Sequence, residues 1–336
     1  MRNAKYTKFA IAAMMYAAFA GYLYQPYFKY FDRWQYLLIV NAPLASLGCY
    51  VLSRRWVAGF GESFFAGAIY GFGPFTLGLV KFHPTAGLLV AAIPWLFCPA
   101  AFGPKTKWRW LRIPLAVFPF LAIVLFFLVS AHYRLFPAST QARLHPADLI
   151  GLLAPLIPAQ QNTTLIGFYH IPVAALIVGF SMLLVARRFG VIVIFAIGTT
   201  LAFCESFFEV SPIIWFTIPM LCCSVLIGEG MQGLASAGFA DRGWVLAAVA
   251  IMCALAIVTL LLATKYFQTF LGMGAGYAKL FTEAGKMYVL GAIVAAIIFF
   301  MIRARLRMRQ LRQVVLYAAM AVDIFLGARF IVDKIL

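Results

Sequence analysis

Charge is what this chain has least of. Only 11% of its 336 residues are Asp, Glu, Lys or Arg, less than half of the roughly one quarter usual in soluble domains. A soluble fold would have to hide several uninterrupted apolar runs of about 18 residues or more in one core, so that class is excluded. Acidic residues are the scarcest, ten against 27 basic, for a formal charge of +17. That balance suggests nucleic acid in a soluble domain, but here the basic residues sit in short clusters between apolar runs. Membrane orientation and anionic lipid headgroups account for them, and no nucleic-acid partner is expected.

Chemical motifs are missing as well. The six cysteines (Cys49, Cys98, Cys204, Cys222, Cys223 and Cys253) fall in or beside apolar segments with no CxxC or zinc spacing. HExxH, GxSxG, P-loop, DxxD and paired-His haem patterns are absent, so neither a metal nor a cofactor is expected. The tetrapeptide ESFF at Glu62 and again at Glu205 does not make a repeat, because the flanks diverge at once.

What is present is hydrophobic length. Apolar runs near the 20 residues that cross a bilayer occur at 9–24, 36–52, 57–80, 86–102, 113–131, 165–186, 191–208, 212–227, 244–263, 287–302 and 314–332. The predicted fold is therefore all-α: a polytopic transmembrane helix bundle of about 11 spans (10–12), one integral membrane domain over residues 1–336. Ala18-Phe19-Ala20 has the look of a signal-peptidase site, but an uncleaved first span is the expectation.

With the N-terminus cytoplasmic, the inner segments hold 17 basic residues and the outer loops eight. Two further stretches, 148–158 and 266–281, are too short or too rich in glycine to cross. If either did, the run RARLRMRQLR would fall outside, against the positive-inside rule. Both are expected as short interfacial helices on the outer face, one at about 146–158 within an extracytoplasmic loop over 132–164. This orientation makes the protein an integral plasma (inner) membrane protein with an extracytoplasmic C-terminus. All four histidines, His83, His132, His145 and His170, then fall on the outer side.

Ionisable groups at bilayer depth are functional candidates by default. Asp323 sits mid-way along the last span, with only Ala319 and Gly327 one turn away, so its partner must come from another helix or from a proton. Glu62 lies two turns from Arg54 and Arg55, and a bond to those arginines is its expected anchor. The stretch VAGFGESFFAGAIYGFGPFTLGLV contains a Gly67/Gly71 pair suited to close helix packing. Gly73-Pro74 should then break that span and leave carbonyls near Tyr70 for Asp323 to face.

Three functions fit, in this order. The first is a multi-pass transporter or channel-like protein, proton-coupled through Asp323 and Glu62 with Gly71 and Pro74 at the broken helix. The second is a membrane-embedded transferase or polymerase acting on a lipid-linked or polysaccharide substrate, with His145, His170, Arg143 and Asp148 as catalytic candidates at the outer face. The third is a structural subunit of a membrane complex. Expected partners are membrane lipids, a small-molecule or lipid-linked substrate, and further copies or subunits.

Overall fold

The computed structural model describes residues 2–31, 36–82, 84–103, 111–132, 149–155, 165–185, 189–204, 210–264, 275–304 and 309–335. Among them every regular element is helical. In chain order these are α1 (Arg2–Tyr24) with a 3-10 turn (Gln25–Tyr30), α2 (Tyr36–Ser53), α3 (Phe60–Phe72), α4 (Pro74–Phe82), α5 (Pro84–Phe102), α6 (Arg112–His132) and α7 (Ile150–Leu153). There follow α8 (His170–Val185), α9 (Phe189–Phe203), α10 (Pro212–Trp215), α11 (Thr217–Ser236), α12 (Arg242–Leu262), α13 (Ala275–Arg303) and α14 (Arg309–Ile335). Among the described residues six helical stretches are long and apolar enough to cross a membrane: α2, α6, α10 with α11, α12, α13 and α14. This is a helical membrane protein.

The hub is α11. Of the stretch Pro212–Ser236, 94% of the spanning window is buried inside the protein, against 17% for α6. Its sequence explains this, because TIPMLCCSVLIGEGMQGLAS is built from small residues that let neighbouring backbones come close. A Cβ on Gly230 would lie 1.8 Å from the Ala175 carbonyl oxygen of α8, and one on Gly228 3.0 Å from Ala66 Cβ of α3. The hub is therefore clamped between α8 and α3. The Gly67/Gly71 pair does the same for α3 and α2, since a Cβ on Gly71 would fall 2.3 Å from the Ala42 carbonyl oxygen. Around this seam Phe64 stacks on Tyr16 at 4.7 Å between ring centroids.

Polar contacts gather at two opposite ends. At one end Arg312 Nη1 donates to the Ala237 carbonyl just past the end of α11 (2.7 Å), and Gln232 accepts from Ala58 N (2.7 Å). Cations suit a helix C-terminus, where carbonyls lack partners. At the other end Tyr27 donates to Asp333 Oδ1 at 2.7 Å, tying the end of α14 to the turn after α1. That bond to a carboxylate holds the Tyr27 pKa above its ordinary value. The first and last helices thus run parallel.

Three interruptions depart from uniform spans. Gly73, with ψ of 162°, separates α3 from α4 where the Gly-Pro pair was expected to break the helix. Residues 165–169, expected as the start of a helix over 165–186, are buried and non-helical, and α8 begins only at His170. The cause is local: Gly167 is pressed against the Gly151 carbonyl, where a Cβ would lie 2.2 Å away. The sixteen residues of α8 span about 24 Å, less than the ~30 Å hydrocarbon core. Third, α10 and α11 meet at Phe216.

One expected interfacial helix is corrected. Of the stretch 266–281, residues 266–274 lie outside the described residues, and 275–281 do not stand apart but extend α13, which is 29 residues long. Leu280, Phe281 and Ala284 bury themselves with Ala154, and this contact continues the helix inward. Of the helix expected at about 146–158, α7 is the described part; residues 146–148 and 156–158 lie outside the described residues.

Replacing Gly230 with Val should abolish the folded species or lower the melting temperature in detergent by many degrees. Gly190→Ala, where a Cβ meets nothing within 4 Å, should leave melting unchanged. Thermal unfolding followed by size exclusion checks both.

Candidate functional site

The non-helical segment 165–169 delivers a tyrosine and a histidine to one place. Asp323, 1% exposed, accepts the Ile171 backbone N–H at 2.8 Å through Oδ2. Its Oδ1 lies 3.4 Å from His170 Nδ1. Both contacts lie in the first turn of α8, where backbone N–H groups have no partner inside the helix and the macrodipole favours an anion. Asp323 therefore finds its partner on another helix. His170 is itself buried, with its ring edge-on to Tyr288 at 4.7 Å, and its Nε2 has no hydrogen-bond partner among the described residues. Tyr288 donates to the Leu152 carbonyl at 3.3 Å, so α7, α8, α13 and α14 converge here.

Tyr169 links this centre to the break at Gly73. Its hydroxyl donates to the Phe72 carbonyl at 2.7 Å, the last residue of α3. Its ring packs on Gly327, one turn from Asp323, where a Cβ would sit 2.1 Å from Tyr169 Cε1. The Tyr70 carbonyl is taken by the Thr76 hydroxyl. The carbonyls expected to face Asp323 are therefore satisfied by Thr76 and Tyr169, and Asp323 reaches the break only through the Tyr169-His170 pair. Pro74 opens α4, and Gly71 packs on α2.

Glu62 is a separate feature, and its expected anchor is corrected. Arg54 Nη1 donates to the Val57, Ala58 and Gly59 carbonyls, and Arg55 Nε to the Ala101 carbonyl at 2.9 Å. Glu62 instead accepts from Gln313 Nε2 of α14 at 3.0 Å. Arg54 thus closes carbonyls of the turn between α2 and α3, and Arg55 one in the last turn of α5. Among the described residues two carboxylates besides Glu229 on α11 are buried, and α14 holds both, Asp323 as its own and Glu62 through Gln313, about 15 Å apart along its axis with Leu316 and Met320 buried between. The two do not form one polar site.

A cavity of about 930 Å³ lies elsewhere, between α5, α6, α9 and α11, and neither Asp323 nor Glu62 lines it. Among the described residues no cluster of His, Cys, Asp or Glu could hold a metal ion. Arg143, His145 and Asp148, and His83, lie outside the described residues, so of the outer-face candidates only His170 has a described place, inside the bundle. His132 ends α6 and is exposed.

Tyr169, Tyr288 and Gln313 were not singled out from the sequence. Tyr169 carried a usable signal, a polar tip beside a histidine in an apolar run. No protein-family model matches the chain, and no curated protein or solved structure matches it.

Tyr169→Phe should remove one buried bond at the break and destabilise the protein by about 1–3 kcal/mol. Amide exchange at residues 72–77 should rise while that of α12 stays unchanged.

Proposed function

We propose that the chain is a multi-pass membrane transporter whose proton-responsive centre is the Asp323–His170 pair. The observation that carries this is a buried carboxylate beside a buried imidazole at the start of a short helix, next to a second, broken helix. Helices interrupted at depth supply ion and substrate sites in transporters, because backbone and side-chain polar groups meet there away from water. An imidazole is the side chain whose ordinary pKa lies nearest physiological pH, and a carboxylate beside it favours its charged form. Protonation of either group changes the charge at the α8 N-terminus and so the strength of the contact between α8 and α14.

The topology we propose with it has eleven crossings and a cytoplasmic N-terminus in the plasma membrane. It counts α3 with α4 and α10 with α11 as single crossings and accepts α5, α8 and α9 as short ones. What supports it is the collection of Arg54, Arg55 and Arg312 at one end of the bundle, and the parallel course of α1 and α14. The transferase reading rests on Arg143, His145 and Asp148. The subunit reading rests on apolar surface that lipid also explains.

Asp323→Asn keeps an oxygen for the Ile171 N–H but loses the titratable group. In proteoliposomes with an internal pH dye, the variant should dissipate an imposed pH gradient at least several-fold more slowly than the parent, at equal melting temperature. Equal rates would reduce Asp323 to a helix cap and remove the proposed centre.

A further inference from the structure

The cavity between α5, α6, α9 and α11 carries an inference that does not depend on Asp323. Its walls are almost wholly hydrocarbon, from Phe97 on α5 through Phe120 and Val124 on α6 to Val225 on α11. Water gains nothing there, because a buried water needs two or more polar partners. Hydrocarbon is what walls of this composition match, through dispersion contacts along a slot of about 930 Å³.

The side chains that form the cavity also identify its source. Ile113 and Leu121 of α6 are 70% and 62% exposed, Val193 of α9 is 53% exposed, and all three line the cavity. The space is thus continuous with the surface that meets lipid. Its floor is deep, for Trp215 lines it while being almost completely buried. From Trp215 to Glu229 the floor runs about 21 Å along the helix axis, the shape of an extended chain.

One end is marked by charge. Trp56 and Ala101 border it, and Arg55, exposed, is held there by its bond to the Ala101 carbonyl. A guanidinium at the mouth of a hydrocarbon slot suits a phosphate, which it can meet with two parallel N–H groups. We propose that the cavity is a binding site for a membrane phospholipid, with one acyl chain along α11 and the phosphate at Arg55.

Trp215 provides the test, because annular lipid does not reach it. The full chain is reconstituted in vesicles of phosphatidylglycerol brominated along the acyl chain, and the Trp215 emission is taken as the difference between parent and Trp215→Phe. The expected result is strong quenching of that component. It should fall several-fold in a Cys222→Phe/Val225→Phe double variant that fills the slot.

A Trp215 component as bright in brominated as in plain lipid overturns the site, as does equal quenching in the filled variant. The headgroup is read by mass spectrometry of phospholipid retained by the detergent-purified protein. Arg55→Gln should lower retention several-fold. Retention unchanged in that variant, or quenching by a brominated fatty acid alone at equal concentration, overturns the phosphate assignment. Should the double variant fail to fold, the parent quenching and the Arg55→Gln retention still decide.

Discussion

A helix that begins inside a protein leaves backbone N–H groups that no water can reach, and here the Asp323 carboxylate takes up that of Ile171. Much of the bundle's arrangement follows from that need. α8 starts late because residues 165–169 are drawn out against Gly151, and so its first turn lies within the protein. α14 must approach closely enough for Asp323 to reach it, and Gly327 makes the approach possible by clearing space for the Tyr169 ring. Tyr169 in turn closes the Phe72 carbonyl at the other interruption. Two defects in helical backbone thus satisfy each other's neighbourhood through one tyrosine-histidine step.

Packing divides the protein into a tight half and a loose one. Where glycines and alanines face each other, along α2, α3, α8 and α11, backbones are in direct contact and nothing else fits. Without a hydrophobic driving force between helices, such contact is what dispersion attraction requires. α6 has bulky branched and aromatic residues and few small ones, whereas α9 packs Gly198 against Ile218 and Pro219 at the start of α11. The cavity lies beside that contact, with buried Trp215 and Leu221 in its floor and the outward-facing Ile113, Leu121 and Val193 at its rim. The polar pair and the apolar slot are therefore separated by construction, one inside the tight half and one at its border.

Charge at the ends follows the same economy of partners. Arg54, Arg55 and Arg312 each bond carbonyls that helix ends or turns leave open, and Gln313 takes Glu62. The arginine clusters that orient a membrane protein are also the groups that close its helices.

The apolar runs alone were enough to identify a helical membrane protein, because hydrocarbon permits only structures that satisfy their own backbone. Gly73-Pro74 was legible as a break, since proline removes a hydrogen bond wherever it stands in a helix. The Gly67/Gly71 seam was legible for a similar local reason. The partners of the polar groups were not. Glu62 stood two turns from Arg54 and Arg55 along the chain yet pairs with Gln313, 251 positions away, and Asp323 meets His170 across 153. Sequence distance carries no information about which helix faces which. The non-helical run at 165–169 was hidden for the same reason, for its residues are as apolar as a span and only the contact of Gly167 with Gly151 straightens them. Sequence by itself determined the solvent, the helical class and the break at Gly73; tertiary packing decided the break at 165–169 and the partners, because a buried polar group bonds whatever the neighbouring helix brings within hydrogen-bond reach.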